Sequence, residues 1–505
     1  MIKRLRGWRA DLAALGVGAV SAAALPPLHL VPVLLIAIPA LLALISVAPS
    51  WRVAARRGWW FGFGHHLLGL YWITEAILIE AARYWWLVPL AVPAIAALLA
   101  VFVAAPAGMA RLAAPGWRRV GALAGAWVLS DIARQFVLTG FPWNLWGSVW
   151  AVPGWVGDVF IQPVSVIGVQ GLSLFTLLLA ATPVLSWRFR ASGLALLAVW
   201  AGFGLFWLQD TEPPPTGIKV VLVQGNVAQG QKWNADLART IFRRYLDLTA
   251  AALAQAGPGP KAVVWPETAV PFLLEQDAAA RAAIAEIVGD APALVGGVRF
   301  GQDGRPRNSL FVLLPGGTLG GRYDKWHLVP GGEYQPDWLM LPIQLVPGGG
   351  FAPGAGPMTL HVPGLPPVGP LICYEAIFGS EIVDRADRPT WLVNVTNDAW
   401  FGNSAGPRQH LAAARMRAVE EGLPLLRAAN TGISAAFDAN GRELGRIGLN
   451  QTGSLIVSLP GPLLPTLFAR AGLWLPGALA LSLLALTLST RARDDERNVR
   501  TVDSL

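Results

Sequence analysis

Seven long, continuously apolar segments open the chain, about 250 residues follow in which polar and apolar positions mix as in a water-soluble protein, and an eighth apolar segment closes it. A bilayer core takes about 20 mostly apolar residues per helix. The segments lie at roughly 10–27, 29–48, 58–79, 86–110, 119–138, 163–187, 191–209 and 466–490. Continuous rather than alternating runs predict transmembrane helices, not barrel strands. After the seventh segment, Pro213-Pro214-Pro215 marks the exit from the membrane, and short β-branched runs then alternate with Ala-rich stretches. Residues 220–223, 262–264, 293–298, 309–314, 370–373, 391–394, 425–428 and 434–437 are predicted as strands, and 237–255, 278–288 and 410–421 as amphipathic helices. Strand runs without strict alternation, separated by helices, predict a layered α/β domain with helix-covered sheets. The expected organisation is a seven-helix region over 1–212, a soluble domain over 213–463, an eighth helix over 464–490 and a charged tail over 491–505.

Charge sets the expected orientation. Lys3, Arg4, Arg6 and Arg9 precede the first segment, Arg52, Arg56 and Arg57 follow the second, and Arg111, Arg118 and Arg119 follow the fourth. Arg188 and Arg190 follow the sixth, and Arg491 and Arg493 the last. Every second connection is basic, which places both termini in the cytoplasm and the soluble domain on the opposite side. The net charge of +8 is thus mostly a topology signal, and nucleic acid is not an expected partner. Ser21-Ala22-Ala23-Ala24 has the small residues of a signal-peptide cleavage site, but the arginine alternation keeps its phase only if the first segment stays as a crossing. A content of 54% hydrophobic residues, 14% charged residues and 23 Trp agrees with a membrane protein. With one cysteine there is no intramolecular disulfide, so the soluble domain must rely on its own core.

Three reactive side chains each sit where a short strand is expected to end: Glu267 after Val263-Val264-Trp265-Pro266, Lys325 within Arg322-Tyr323-Asp324-Lys325-Trp326-His327, and Cys373 within Gly369-Pro370-Leu371-Ile372-Cys373. Strand ends are where α/β folds gather active groups. A carboxylate can take a thiol proton, and an ammonium favours the thiolate and can hold an oxyanion alongside the Tyr374 N–H. Taken singly, each has a plainer reading: a small buried hydrophobe, a helix-start carboxylate, a surface charge. Their order and flanks set those readings aside. His65 and His66 are neighbours rather than an i, i+4 pair, so a metal site is not expected, and Gly348-Gly349-Gly350 lacks the Gly-Lys-Ser/Thr of a phosphate loop.

Trp265-Pro266-Glu267-Thr268, Lys325 through Tyr334, and Ile372-Cys373-Tyr374-Glu375 resemble the three catalytic segments of the nitrilase/carbon–nitrogen hydrolase superfamily, and Asn394 through Phe401 is similar to the stretch after its cysteine. Flanking by seven helices and one helix resembles its membrane branch, the apolipoprotein N-acyltransferases of the bacterial inner membrane, as does Thr139-Gly140-Phe141-Pro142-Trp143. The resemblance implies a bundle of about eight transmembrane helices and a periplasmic αββα-sandwich nitrilase-like domain. It implies transfer of a fatty acyl chain from a phospholipid, through a thioester on Cys373, to the free amine of a diacylglyceryl-modified N-terminal cysteine of an apolipoprotein. Carried residue by residue, it makes Glu267 the base, Lys325 the oxyanion stabiliser and Cys373 the nucleophile, with Glu333 positioning the lysine or relaying protons. Trp233 matches a tryptophan of substrate engagement, Tyr374 and Glu375 match the residues after the nucleophile, and Asn308 sits near the lysine segment. No metal or dissociable cofactor is expected, and the expected assembly is a monomer. Trp338, Leu339, Met340, Leu341, Ile343, Leu345 and Phe351, within about 331–356, suit a lid dipping into lipid. Two other classes are weighed: a membrane-tethered amidase using the same residues with water, and a transporter, for which the crossings offer little beyond Asp131 and Arg134.

Overall fold

The computed structural model describes residues 5–211, 215–232, 234–336 and 350–502. Trp233, Pro213, Pro214 and the expected lid residues from Trp338 to Leu345 lie outside the described residues. The chain divides into two compact units, residues 1–207 with 470–505, and residues 208–469.

The first unit is helical. Among its described residues, three helices are long and apolar enough to cross a membrane: Ala81–Leu112, Val164–Val184 and Trp187–Gln209. Val31–Ser46 and Trp474–Ser489 are apolar but shorter. The remaining expected crossings differ for visible reasons. Trp8–Ser21 has 14 residues and ends in a 3-10 turn, while Trp51–Gly69 carries arginines and two histidines and Trp117–Phe136 carries charges within its length. Those charges find protein partners: Asp131 pairs with Arg134 at 2.8 Å, and Arg134 donates to the Trp143 carbonyl at 2.9 Å. Trp8–Ser21 and Trp51–Gly69 meet backbone to backbone through glycine, since a Cβ on Gly18 would lie 1.9 Å from the Phe61 carbonyl oxygen and one on Gly64 2.1 Å from that of Leu15. Such close approach over small residues is how helices associate where lipid removes the hydrophobic drive.

Among its described residues the second unit holds eleven strands: β1 Pro215–Gln224, β2 Lys261–Trp265, β3 Ala293–Phe300, β4 Pro306–Leu313, β5 Leu319–Asp324, β6 Val368–Ile372, β7 Trp391–Thr396, β8 Leu425–Ala429, β9 Ser434–Phe437, β10 Glu443–Ile447 and β11 Gly453–Pro460. They form two sheets, β11-β1-β2-β3-β4-β5 and β10-β9-β8-β7-β6. Side-chain alternation along β1 shows how they stack. Val220 and Leu222 enter a core shared with Val393, Val395, Leu426 and Ala428 of the other sheet, while Val221 and Val223 face Ile241 and Tyr245 of the helix Ala235–Gln255. On the far side, Leu392 and Leu425 pack on Leu411, Ala414 and Ala418 of the helix Gly406–Glu421. The layers therefore run helix, sheet, sheet, helix. With both faces buried, the central strands read as continuous apolar runs. All eight expected strands are present, although Cys373, placed at the end of one, instead starts a 3-10 turn just beyond β6.

Three strands were not foreseen, β5, β10 and β11. β5 and β10 end their sheets and keep polar residues such as Arg322, Glu443 and Arg446. β11 closes the first sheet beside β1.

Candidate active site

The site forms where strand direction brings three loops to one edge. β1, β2 and β3 run parallel, and the two antiparallel steps to β4 and β5 restore that direction, so β2 and β5 end on the same edge. β2 delivers Glu267 two residues beyond its end and β5 delivers Lys325 one residue beyond; β6, in the second sheet, delivers Cys373. Asn308 lies near the start of β4, where its carbonyl accepts the Lys325 N–H at 2.8 Å. All four are buried.

Lys325 is 1% exposed and its Nζ lies 2.9 and 2.8 Å from the two Glu333 oxygens and 3.7 Å from Glu267 Oε1. Burial works against its charge, but Glu333 and Glu267 outweigh that and hold the ammonium well above its ordinary value. The Asn308 amide joins the carboxylates, donating to Glu267 Oε1 at 2.7 Å and to Glu333 Oε1 at 3.0 Å. Glu333 is further fixed by the Val329 N–H at 2.8 Å. Four of the expected residues thus form one hydrogen-bonded cluster.

Cys373 has a φ of +52°, the left-handed region that a residue with a Cβ rarely adopts, and Thr268 beside the carboxylate has +46°. Both turns lie just past a strand end, where the chain leaves its sheet. The thiol is pushed up to about 12, by burial first and then by Glu267, with Asp398 adding and Lys325 and the Thr396 hydroxyl opposing. At neutral pH the resting group is therefore a neutral thiol that needs a base at the moment of attack. Gly296 allows the Glu267 turn to lie against β3, since a Cβ there would stand 2.1 Å from the Pro266 carbonyl oxygen.

Glu375 ties the cysteine and lysine segments together. Its Oε1 accepts from Tyr323 Oη at 2.7 Å, the Trp326 N–H at 2.8 Å and the His327 N–H at 3.3 Å, and its Oε2 accepts from the Ile372 N–H at 2.6 Å. Burial pushes this carboxyl up to about 7 while the donors act to lower it. Every partner is a donor, so an amide NH₂ in place of an oxygen would face N–H or O–H groups. Glu375→Gln is expected to cost about 1–3 kcal/mol, read as a fall of several degrees in the melting temperature in detergent. A melting temperature unchanged from wild type would remove this clamp from the account.

Residues 219–463 match the family described as carbon-nitrogen hydrolase, and residues 17–182 that described as the apolipoprotein N-acyltransferase N-terminal domain. An apolipoprotein N-acyltransferase of Rhodopseudomonas palustris is 38% identical, covering 96% of this chain and 96% of its own length. One of Bradyrhizobium diazoefficiens is 39% identical, covering 97% of this chain and 96% of its own. This chain belongs to the apolipoprotein N-acyltransferase family. A solved mutant amidase of the nitrilase superfamily from Nesterenkonia AN1 is 20% identical with a TM-score of 0.37, over 49% of this chain and 93% of that one.

Of the residues expected from the family resemblance, the structure gathers Glu267, Lys325, Glu333 and Asn308 directly, and sets Glu375 behind the Cys373 turn. Tyr374 packs edge-on against Phe378, whose ring also stacks flat on His327 at 3.8 Å. The His327 Nε2 makes no hydrogen bond among the described residues and lies 3.9 Å from Glu381 Oε2. Trp233 lies outside the described residues.

Two groups carry no role in the sequence reading. Behind the cysteine, the His410 ring Nε2 lies 3.0 Å from the Cys373 carbonyl oxygen, and its Nδ1 lies 2.9 Å from Asp398, which Arg427 holds at 2.7 Å. A carbonyl can only accept, so Nε2 carries the proton and the ring braces the left-handed residue. The other is Lys232, whose Nζ donates to the Glu267 carbonyl at 2.9 Å. Asp398 lay inside the stretch Asn394 through Phe401 and Lys232 next to Trp233, though neither was singled out; His410 and Arg427 reach the site through the fold.

Proposed function

We propose that this chain transfers a fatty acyl chain from a membrane phospholipid, through a thioester on Cys373, to the N-terminal amine of diacylglyceryl-cysteine in an apolipoprotein. The observation that carries the reading is the placement of the chain's only thiol on a buried left-handed turn just past β6, in a domain that also gathers Glu267, Lys325, Glu333 and Asn308 into one buried cluster, in a member of this acyltransferase family.

Sγ of Cys373 attacks the ester carbonyl as Glu267 takes the thiol proton. The oxyanion is held by Lys325 Nζ and the Tyr374 N–H, and Glu333 with Asn308 keeps the ammonium in place. Breaking the ester C–O bond passes the proton from Glu267 to the leaving oxygen, and a lysophospholipid departs. The lipoprotein amine then attacks the thioester; its proton goes by way of Glu267 to Sγ as the C–S bond breaks. Mass spectrometry of the intact protein purified from membranes tests the reading, since an acyl adduct on Cys373 is expected. Release of free fatty acid with no N-acylated peptide would favour the tethered amidase instead.

The membrane setting follows from the donor. An acyl chain leaves the bilayer at a cost of about 0.8 kcal/mol per exposed CH₂, so the reaction belongs at a lipid surface. The three long apolar helices and the two shorter ones support membrane association. We read the full set as eight crossings of the bacterial inner membrane, with 213–463 periplasmic and both termini cytoplasmic, on the strength of the arginine alternation. Protease added to spheroplasts is expected to cut within 213–463, whereas a reporter fused after Leu505 should behave as cytoplasmic. Full protection of that domain would overturn the orientation and with it the exported lipoprotein as acceptor.

A further inference from the structure

The catalytic cluster contains a charge that the reaction above leaves unused. Lys232 is 3% exposed and its Nζ makes, among the described residues, one hydrogen bond, to the Glu267 carbonyl at 2.9 Å. A buried ammonium with a single neutral partner is costly unless opposite charge lies nearby. Here it does: Glu267 and Cys373 both favour its charged form, against a burial that brings it down to about 8. Its position is enforced by the preceding segment. Val227 exchanges two hydrogen bonds with the Asn430 side chain, at 3.0 and 2.8 Å, and Asn397 links Asn430 at 2.9 Å to Gln229 at 2.7 Å.

Counting charge shows what the lysine does. Glu267 and Glu333 bring two negative charges to the cluster and Lys325 offsets one. With Lys232 the sum is zero before the thiol proton moves to Glu267, and zero afterwards, when a thiolate and Glu333 face the two lysines. Without it, thiolate formation must occur in a buried cluster already carrying a net negative charge. Resting on the reading of Cys373 as nucleophile, we propose that Lys232 is a positioning residue that supplies the second cation the site requires, pinning the Glu267 turn and balancing Glu333 so that Cys373 can ionise.

The test uses the full-length protein in detergent with phospholipid at pH 7, following thioester formation by intact mass in a single turnover. Lys232→Gln keeps a donor for the Glu267 carbonyl and loses the charge; Lys232→Arg keeps the charge. Thioester formation is expected to slow at least tenfold in Lys232→Gln and to stay within about threefold of wild type in Lys232→Arg, with both folded by melting temperature. A wild-type rate in Lys232→Gln overturns the proposal. So do equal losses in both variants, which would make the lysine a matter of shape, and so does a glutamine variant that no longer folds. Wild-type protein that forms no thioester would instead overturn Cys373 as nucleophile.

Discussion

Cys373→Ala is expected to abolish acyl transfer and covalent labelling by lipid probes while leaving the fold in place. The chain has no other cysteine to take over, and alanine keeps the buried β-carbon while removing the one atom that forms the thioester. The side chain lost is small and packs at the edge of the core between the sheets, so the melting temperature should change little. The left-handed turn is braced from outside by His410 and Glu375 rather than by the sulfur, which is why geometry should survive. Transfer assayed with purified variant and a diacylglyceryl peptide decides the matter: activity near the wild-type level would end the thioester mechanism.

The second large effect separates the base from the oxyanion donor. Glu267→Gln retains the hydrogen bond from Asn308 only if the amide presents its oxygen, and it removes the one group proposed to accept the thiol proton. Burial, the largest cause of the thiol's raised value, remains in the variant, so its thiol stays neutral and has no acceptor for its proton. Thioester formation should therefore vanish. Lys325→Met leaves the base in place, removes the ammonium between Glu333 and Glu267 and should lose about 3 kcal/mol of transition-state stabilisation, roughly a hundredfold or more in rate. Its two carboxylates would also be left buried together through Asn308, so some of the loss will come from repulsion. Single-turnover thioester formation by mass spectrometry is the measurement. Normal accumulation of acyl-enzyme in Glu267→Gln would mean the roles are wrongly assigned.

The reaction chemistry was legible before the fold because Glu267 and Cys373 follow short apolar runs and all three reactive side chains carry distinctive flanks, as in Trp265-Pro266-Glu267 and Ile372-Cys373-Tyr374. Even Asn308, a residue with no chemistry of its own, could be placed near Lys325, and the fold makes it the bridge between both carboxylates. Lys232, although next to Trp233, was not singled out. A lysine in a polar loop reads as solvated, and only Asn430 and Asn397, about 200 residues away in sequence, turn that loop inward.

By itself, the sequence determined what depends on local pattern: the apolar segments, the eight strands that read as mostly apolar runs, and the Glu, Lys, Cys order that carries the chemistry. Tertiary structure decided what depends on partners distant along the chain. The edge strand β5 and the return of β11 to β1 are stabilised by pairing rather than by their own composition. The same holds for charges within the helical unit, where Asp131 and Arg134 become tolerable through each other. It holds also for the left-handed turn at Cys373, a conformation a cysteine avoids alone and adopts here because His410 and Glu375 bind its backbone on either side.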